Sequence, residues 1–404
     1  MENTTQSLQQ IGRYSDIHNV PEVQDLQKGM DFRLPQYRRE VFLRFYEFHV
    51  THRSHPGGVY FAFPWLTKYF NMTQEDKYWL AFINGCTQHI VTSSIIFEKF
   101  PSIKDVDIDE LDTWWNENQH RFKAGSGWDA DRRYFKVGRI GLPNCVKSYK
   151  ENVLKFGSQE AMFNSLTESD DIFENFRNTW KFVSKNFLSF GRLSTFSYLE
   201  YLKIQGLNID CDSLFIDDIL GSKSHRNGLC KVLGRDDLDW NDRKGSDAEL
   251  FPGYEKETLD WITQEGNQLL SDAKSRIKHN THEVSHFTLE STLCCYKSWY
   301  RESRRYPNVY MDMMHHRIVN AETTLGPLGY DFSHFWRMRD ESLPDYLRIE
   351  TDPLWFPESN PNALSKEKQN WFREHGEVIL LGNEWPCFES GYQATDQSLK
   401  SFFG

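Results

Sequence analysis

The chain has 404 residues, 39% of them hydrophobic, 26% charged and 15% aromatic, and a formal net charge of −11. That is enough chain to bury a large core, and the acidic balance argues weakly against nucleic acid as a partner, although binding depends on local clusters of Lys and Arg rather than on the average. No apolar run approaches the length of a membrane span, so no membrane partner is expected, and the opening MENTTQSLQQ is too polar for a signal peptide.

Residues 1–30 read as a poorly anchored arm, and helical periodicity dominates from there. A helix is expected over 36–50. HRSHPGGVY (52–60) then puts His55 on a Pro-Gly-Gly turn, where a side chain can face a cleft. The segment 73–100 reads as one helix. Thr73 and Asp76 have capping-box spacing, Trp79, Phe82, Ile83, Cys86, Ile90, Ser94 and Phe97 recur at helical intervals, and Pro101 stops it. His89, at the edge of that stripe, reads as a hydrogen-bonded core residue. Further helices are expected over 108–120, 143–156, 172–187, 193–205, 255–276, 287–304 and 308–323, with LFIDDIL (214–220) as a short one. The tail from 340 is Pro-rich and irregular, wrapping over the helical body. The expected architecture is therefore mainly α: an arm (1–30), one helical domain (31–340) and an irregular C-terminal segment (341–404).

Several patterns can carry chemistry. GSKSHRNG (221–228) groups Lys223, His225, Arg226 and Asn227 between two glycines. It lacks the G-x-x-x-x-G-K-[ST] order of a nucleotide-binding loop, so it reads as a polar loop able to contact phosphate, or as a plain surface turn. Asp217 and Asp218 precede it, a carboxylate beside cations, as a site needs to activate a nucleophile and neutralise a leaving phosphate. In VSHFTLESTLCCYKSWYRESRRYP, Leu289, Leu293, Tyr296 and Tyr300 form a core stripe. Beside it run Glu290, Cys294, Lys297, Arg301 and Arg304, an anion track or an ordinary wet face. Glu200 is the only acid between Phe190 and Leu207. Among apolar neighbours it is either a general base or the partner of a cation such as Arg192. The seven cysteines are scattered and read as reduced thiols of a cytoplasmic protein. Cys86 with His89, and Asp312 with His315, have i, i+3 spacing, but no complete ligand set emerges, so neither metal nor cofactor is expected.

Taken together, RLPQYRREVFLRFYEFH, HPGGVY, NGCTQHIVTS, DRRYFK, FGRLSTFSYLEYL, GSKSHRNGLCKVLGRDDLDW, FTLESTLCCYKSWYRESRRYPNVYMDM and NEWPCF resemble the amino acid:DNA transferases of bacteriophages, over roughly residues 33–390. The resemblance implies a reaction in which phosphate or pyrophosphate on phosphorylated hydroxymethyl-uracil in DNA is displaced by a free amino acid or amine, in the host cytoplasm. It also implies a distant link to helix-hairpin-helix DNA glycosylases. Gly191 and Arg192 would then stand at the hairpin and Asp210, Asp212 or Asp217 near the position of the glycosylase aspartate, although the usual paired hairpin glycines are missing. On this reading Lys223, His225, Arg226, Lys297 and Arg304 attend the leaving phosphate, Glu200, Glu290, Asp217 or His55 deprotonates the amine, and Arg132 or Arg133 holds the amino acid's carboxylate. The alternatives are a non-catalytic DNA-binding accessory module and a base-excising glycosylase.

Overall fold

A computed structural model describes residues 35–53, 55, 58–122, 141–219, 221–238, 254–298 and 313–343. Among them the chain is helical and contains no strand, as the periodicity implied. The helices are α1 (Pro35–His52), α2 (Val59–Tyr69), α3 (Gln74–Thr87), α4 (Ile90–Lys99) and α5 (Ile108–Asn118). Next come α6 (Leu142–Leu154), α7 (Gln159–Leu166), α8 (Ile172–Asn186) and α9 (Arg192–Ile204). The last are α10 (Lys223–Val232), α11 (Lys256–Arg276), α12 (His286–Ser298), α13 (Met313–Leu325) and α14 (Ser333–Ser342). The arm at 1–30 and the tail from 344 lie outside the described residues.

Two compact units emerge, one comprising Met1–Pro56, Ser213–Asp312 and Leu343–Gly404, the other Gly57–Asp212 and Met313–Ser342. In the first, α1, α10, α11 and α12 pack together. The crossing of α10 with α12 is so close that a Cβ added at Gly228 would lie 2.1 Å from the Leu293 carbonyl oxygen. Only glycine permits that approach. The Leu289, Leu293 and Tyr296 stripe of α12 is fully buried, as its phase required. α1 is tied to its neighbours through polar groups. Tyr46 Oη and Thr288 Oγ1 are 2.6 Å apart, and Arg276 forks onto Glu40 at 2.9 Å on both nitrogens while its Nε reaches Glu47 at 3.0 Å.

The second unit is built around an aromatic cluster. Phe82 and Tyr149 stack at 3.8 Å between centroids, and Phe187, Phe190 and Tyr198 close around them. The expected capping box at Thr73 and Asp76 is formed. The single helix expected over 73–100 is instead two. Gln88 takes a left-handed conformation, φ 52°, and His89 caps α4 by accepting from the Thr92 amide on Nδ1 at 3.2 Å. Ser93 Oγ donates to Asn84 Oδ1 at 2.9 Å and lies 2.6 Å from Thr87 Oγ1, so these three buried side chains are linked across the break. The apolar stripe nevertheless runs on across it, with Trp79, Phe82, Ile83, Cys86, Ile90, Ser94 and Phe97 all buried. LFIDDIL also differs from expectation. Residues 211–219 are turns and irregular backbone, with Phe215 at φ 51°, because side chains and carbonyls of this stretch are used to start α10.

Candidate functional site

The stretch read as a polar loop, Gly221 to Gly228, is the beginning of helix α10. Its small and polar residues serve a buried helix start and a tight crossing instead of a surface turn. Gly221 N donates to Asp218 Oδ1 at 2.9 Å, Ser222 N to Asp218 O at 2.9 Å, and Ser222 Oγ to Phe215 O. Asp218 is thus used to shape the turn, while Asp217 beside it is exposed. Ser222, His225, Arg226 and Asn227 are all essentially inaccessible, and Lys223 is half-buried.

Helix α10 carries Lys223, His225 and Arg226 in its first turn and no acid there. The positive end of a helix dipole disfavours cations, so this arrangement opposes local stability unless an anion is supplied. α12 supplies one. Glu290 Oε1 lies 2.9 Å from His225 Nδ1, with Glu290 13% and His225 1% exposed. The other ring nitrogen, Nε2, is 2.7 Å from the Leu214 carbonyl oxygen. A carbonyl only accepts, so Nε2 must carry a proton. Nδ1, the other nitrogen of the same ring, is thereby held facing Glu290 Oε1. Glu290 thus meets the 221–228 stretch through His225. Next to it, Ser224 Oγ and Cys294 Sγ are 2.9 Å apart across the same crossing.

Arg226 faces inward. Its Nη2 donates to Ile219 O at 2.8 Å, its Nη1 reaches Asp218 O at 3.5 Å, and its guanidinium sits 5.0 Å from the Tyr254 ring centroid. The expected exposed phosphate fork is thus placed as an internal brace for the turn ahead of α10. Asn227 is likewise interior. Lys297 falls on the last turn of α12, while Arg301, Arg304, Arg132 and Arg133 lie outside the described residues.

His55 faces the interior as well, where a cleft-facing side chain was expected. Its ring stacks 5.6 Å from His49 and meets Tyr46 edge-on at 6.4 Å. Burial, and then the neighbouring His49, hold its basicity well below the ordinary histidine value, so it stays uncharged.

Glu200 belongs to the second unit, on α9, where it is 8% exposed and accepts a 2.8 Å bond from Tyr60 Oη. Tyr201, next in sequence, is pushed well above the usual phenol range by burial and then by the Glu200 carboxylate, with buried Arg317 pulling the other way. Tyr60 and Tyr201 thus lie close to this acid, and Arg317 acts on Tyr201. Arg192, at the start of α9, rests over the Phe196 ring at 5.8 Å and is half-buried. Of the carboxylates near glycosylase spacing, Asp210 pairs with Lys203 at 2.7 Å and Asp212 with Arg177 at 2.6 Å. Burial, and then a hydrogen bond with Cys145, push the Cys86 thiol up, and the ring of His315 packs edge-on to Trp336. Sequence reasoning missed Tyr60 and the Ser224–Cys294 contact. The first partner stands 140 residues from Glu200 and the second 70 apart, and no local spacing signals either.

Residues 63–306, more than half of the chain, match the model of the amino acid:DNA transferase family. A serinyltransferase of Salmonella phage ViI is 27% identical over 286 residues, an alignment covering 69% of this chain and 66% of that protein, so the chain spans just under two thirds of that relative's length. No solved structure matches.

Proposed function

The chain belongs to the amino acid:DNA transferase family, and we propose that it replaces phosphate or pyrophosphate on phosphorylated hydroxymethyl-uracil in DNA with a free amino acid or amine. The new bond joins the amino nitrogen to the 5-methylene carbon. The carbon–oxygen bond to phosphorus breaks and its electron pair leaves with the phosphate. Attack needs the nitrogen lone pair, so the ammonium of the amino acid first loses a proton, and Glu290 takes it, oriented by His225. Lys223, at the positive end of α10, offsets the charge that gathers on the leaving phosphate. The modified base has to leave the duplex stack to reach these groups.

The observation that supports this reading is the Glu290–His225 pair, enclosed at the start of a helix whose first turn is cationic and has no acid of its own. Arg226 acts as the brace that holds that helix start, and Glu200 with Tyr60 is the second place to look for the base. A relative named as a serinyltransferase makes serine the first amino acid to try. That relative's phage origin suits a modified viral genome, worked on in the host cytoplasm.

The test is single-turnover incubation of phosphorylated hydroxymethyl-uracil DNA with a mixture of amino acids, followed by mass spectrometry of the nucleosides. An adduct with the amino acid joined through its nitrogen to the 5-methylene is expected. Release of free base would point to glycosylase chemistry, and unchanged DNA with retained binding to an accessory module. Either result would overturn the proposal.

A further inference from the structure

The second unit contains a concavity of about 260 Å³ whose charged lining is already used by the fold. Glu75 accepts from Glu160 N at 2.7 Å and from Gln159 N at 3.2 Å, capping α7. Lys150 Nζ donates to Val106 O at 2.6 Å and to Lys104 O at 3.0 Å. The crossing of α10 with α12 in the first unit differs, because it holds a nucleophile that the transfer chemistry above does not use.

That nucleophile is Cys294. Of the six cysteines among the described residues, five are buried and Cys294 is partly exposed. It stands four residues after Glu290 on α12, so thiol and carboxylate share a face of the helix, with Cβ atoms about 5–6 Å apart. The first turn of α10 meets both. Ser224 Oγ lies 2.9 Å from Cys294 Sγ, and His225 Nδ1, one residue on, lies 2.9 Å from Glu290 Oε1. Leu293 and Cys295, on either side of Cys294, are buried, so the core anchors the backbone that carries a thiol with open surface. Lys223 on the same turn of α10, where no acid stands, favours negative charge nearby.

Uracil is electron-poor at C6, the carbon conjugated through C5 with the C4 carbonyl, and a thiolate is a strong nucleophile at neutral pH. We propose that Cys294 is the catalytic nucleophile of the transfer, adding through Sγ to C6 of the flipped base. The inference rests on the transfer reading above and adds a covalent step to it. The Sγ–C6 bond forms, and the π pair of C5=C6 moves onto O4. That pair returns to make a double bond between C5 and the methylene carbon, while the carbon–oxygen bond to phosphorus breaks and its electrons leave with the phosphate. The phosphate takes up the proton that Sγ gave up. The amine, its proton lost to Glu290, then adds to the methylene carbon. The displaced π pair passes through O4 again, re-forms C5=C6 and expels Sγ, which regains a proton from Glu290. No atom is oxidised or reduced, and the chain ends as it began.

The covalent step has a signature that needs neither an amino acid nor a leaving group. When Sγ adds to C6 of plain uracil, C5 takes a proton from solvent, and reversal can return either hydrogen. The full chain is therefore incubated in deuterated water with uracil-containing DNA, and deuterium at C5 is read by mass spectrometry of the nucleosides. The parent chain is expected to exchange. Cys294→Ser keeps the size and a hydroxyl toward Ser224. It should lose exchange and slow single-turnover transfer by roughly a hundredfold or more, with an unchanged melting curve. Cys294→Ala is measured beside it and should behave alike in both assays, which separates the thiol from its contact with Ser224. Exchange or transfer at the parent rate in either folded variant would overturn the assignment, as would a parent chain that transfers but does not exchange. Exchange with no transfer to phosphorylated DNA would sink only the transfer reading, and a parent chain that does neither would sink both.

Discussion

Replacing Gly228 with Ala adds one methyl group, and the structure says where it must go. The new carbon would lie 2.1 Å from Leu293 O, 2.7 Å from Leu293 C and 3.3 Å from its Cα. All three are backbone atoms of the facing helix, so no rotamer change can relieve the clash. To reach the shortest ordinary carbon–oxygen approach, α10 and α12 have to part by about 1 Å. Alanine gains about 1 kcal/mol over glycine in helix propensity. Overpacking against rigid backbone costs at or above the top of its usual ~1–3 kcal/mol range, so a net loss of about 2 kcal/mol is expected. The same displacement should be felt by the site. His225 precedes Gly228 by one helical turn and Glu290 precedes Leu293 by one turn, so their 2.9 Å contact would stretch to nearly 4 Å, beyond hydrogen-bond range. Thermal and urea melts, read beside single-turnover transfer at a temperature where the variant is still folded, check both halves. A Gly228→Ala protein that melts at or above the parent midpoint would refute the packing argument. One that is destabilised yet transfers at the parent rate would refute the link between the crossing and the reactive pair.

Other expectations concern single groups. Glu290→Gln keeps shape but cannot take a proton, so transfer should fall by roughly a hundredfold or more with DNA affinity little changed, and the melting midpoint should drop because the anion beside His225 is lost; parent-rate turnover would move the base to Glu200. Arg226→Ala should lower the melting midpoint by several degrees, since a buried guanidinium holding two carbonyls and a ring is lost, whereas Lys223→Met should leave the melt unchanged and reduce transfer, and the opposite pattern would reverse their assigned roles. His55 is held uncharged by burial. The unfolded chain takes up a proton there below about pH 6.5 while the folded chain refuses it, so stability should fall as pH drops through that window, by up to about 1.4 kcal/mol per unit. His55→Phe should flatten that dependence, and an unaltered slope in urea midpoints between pH 7 and 5 would count against it. DNA affinity should fall steeply with salt despite the net charge of −11; a flat response would remove the phosphate contacts.

Periodicity made much of this architecture legible before any coordinates. The segments near 36–50, 108–120, 143–156, 172–187, 193–205 and 255–276 all appear with ends shifted by no more than two residues. What it could not show was continuity. The stripe from Trp79 to Phe97 keeps its phase through Gln88, so a break stabilised by Asn84, Thr87, His89 and Ser93 looks like uninterrupted helix. Helix α2 was hidden for the opposite reason. Val59, Tyr60, Phe61, Ala62, Phe63 and Leu66 are all buried, which leaves little alternation to detect, and Pro64 interrupts the pattern. Helix α10 was misread because Gly, Ser and Asn suit turns and close helix crossings equally, and only Leu293 opposite Gly228 tells them apart. The phase of α12 placed Glu290 beside the core stripe, which was enough to name it, while its partner depended on Leu214 fixing the ring of His225.

The cap that Glu75 places on α7 has a consequence for how the chain can be cut and for the order in which it folds. An eight-residue helix is too short to persist alone in water, and this one has its first amides satisfied from 84 and 85 residues upstream. Helix α7 therefore has to wait until that long loop closes, and it should appear late in refolding, after the helices on either side have docked. A peptide spanning 158–167 should be disordered by circular dichroism. Two fragments divided anywhere between residues 76 and 158 should recover the α7 amide protection only when they reassociate. Native-state hydrogen exchange of Gln159 and Glu160 then becomes a local clock for closure of the second unit, independent of any activity measurement.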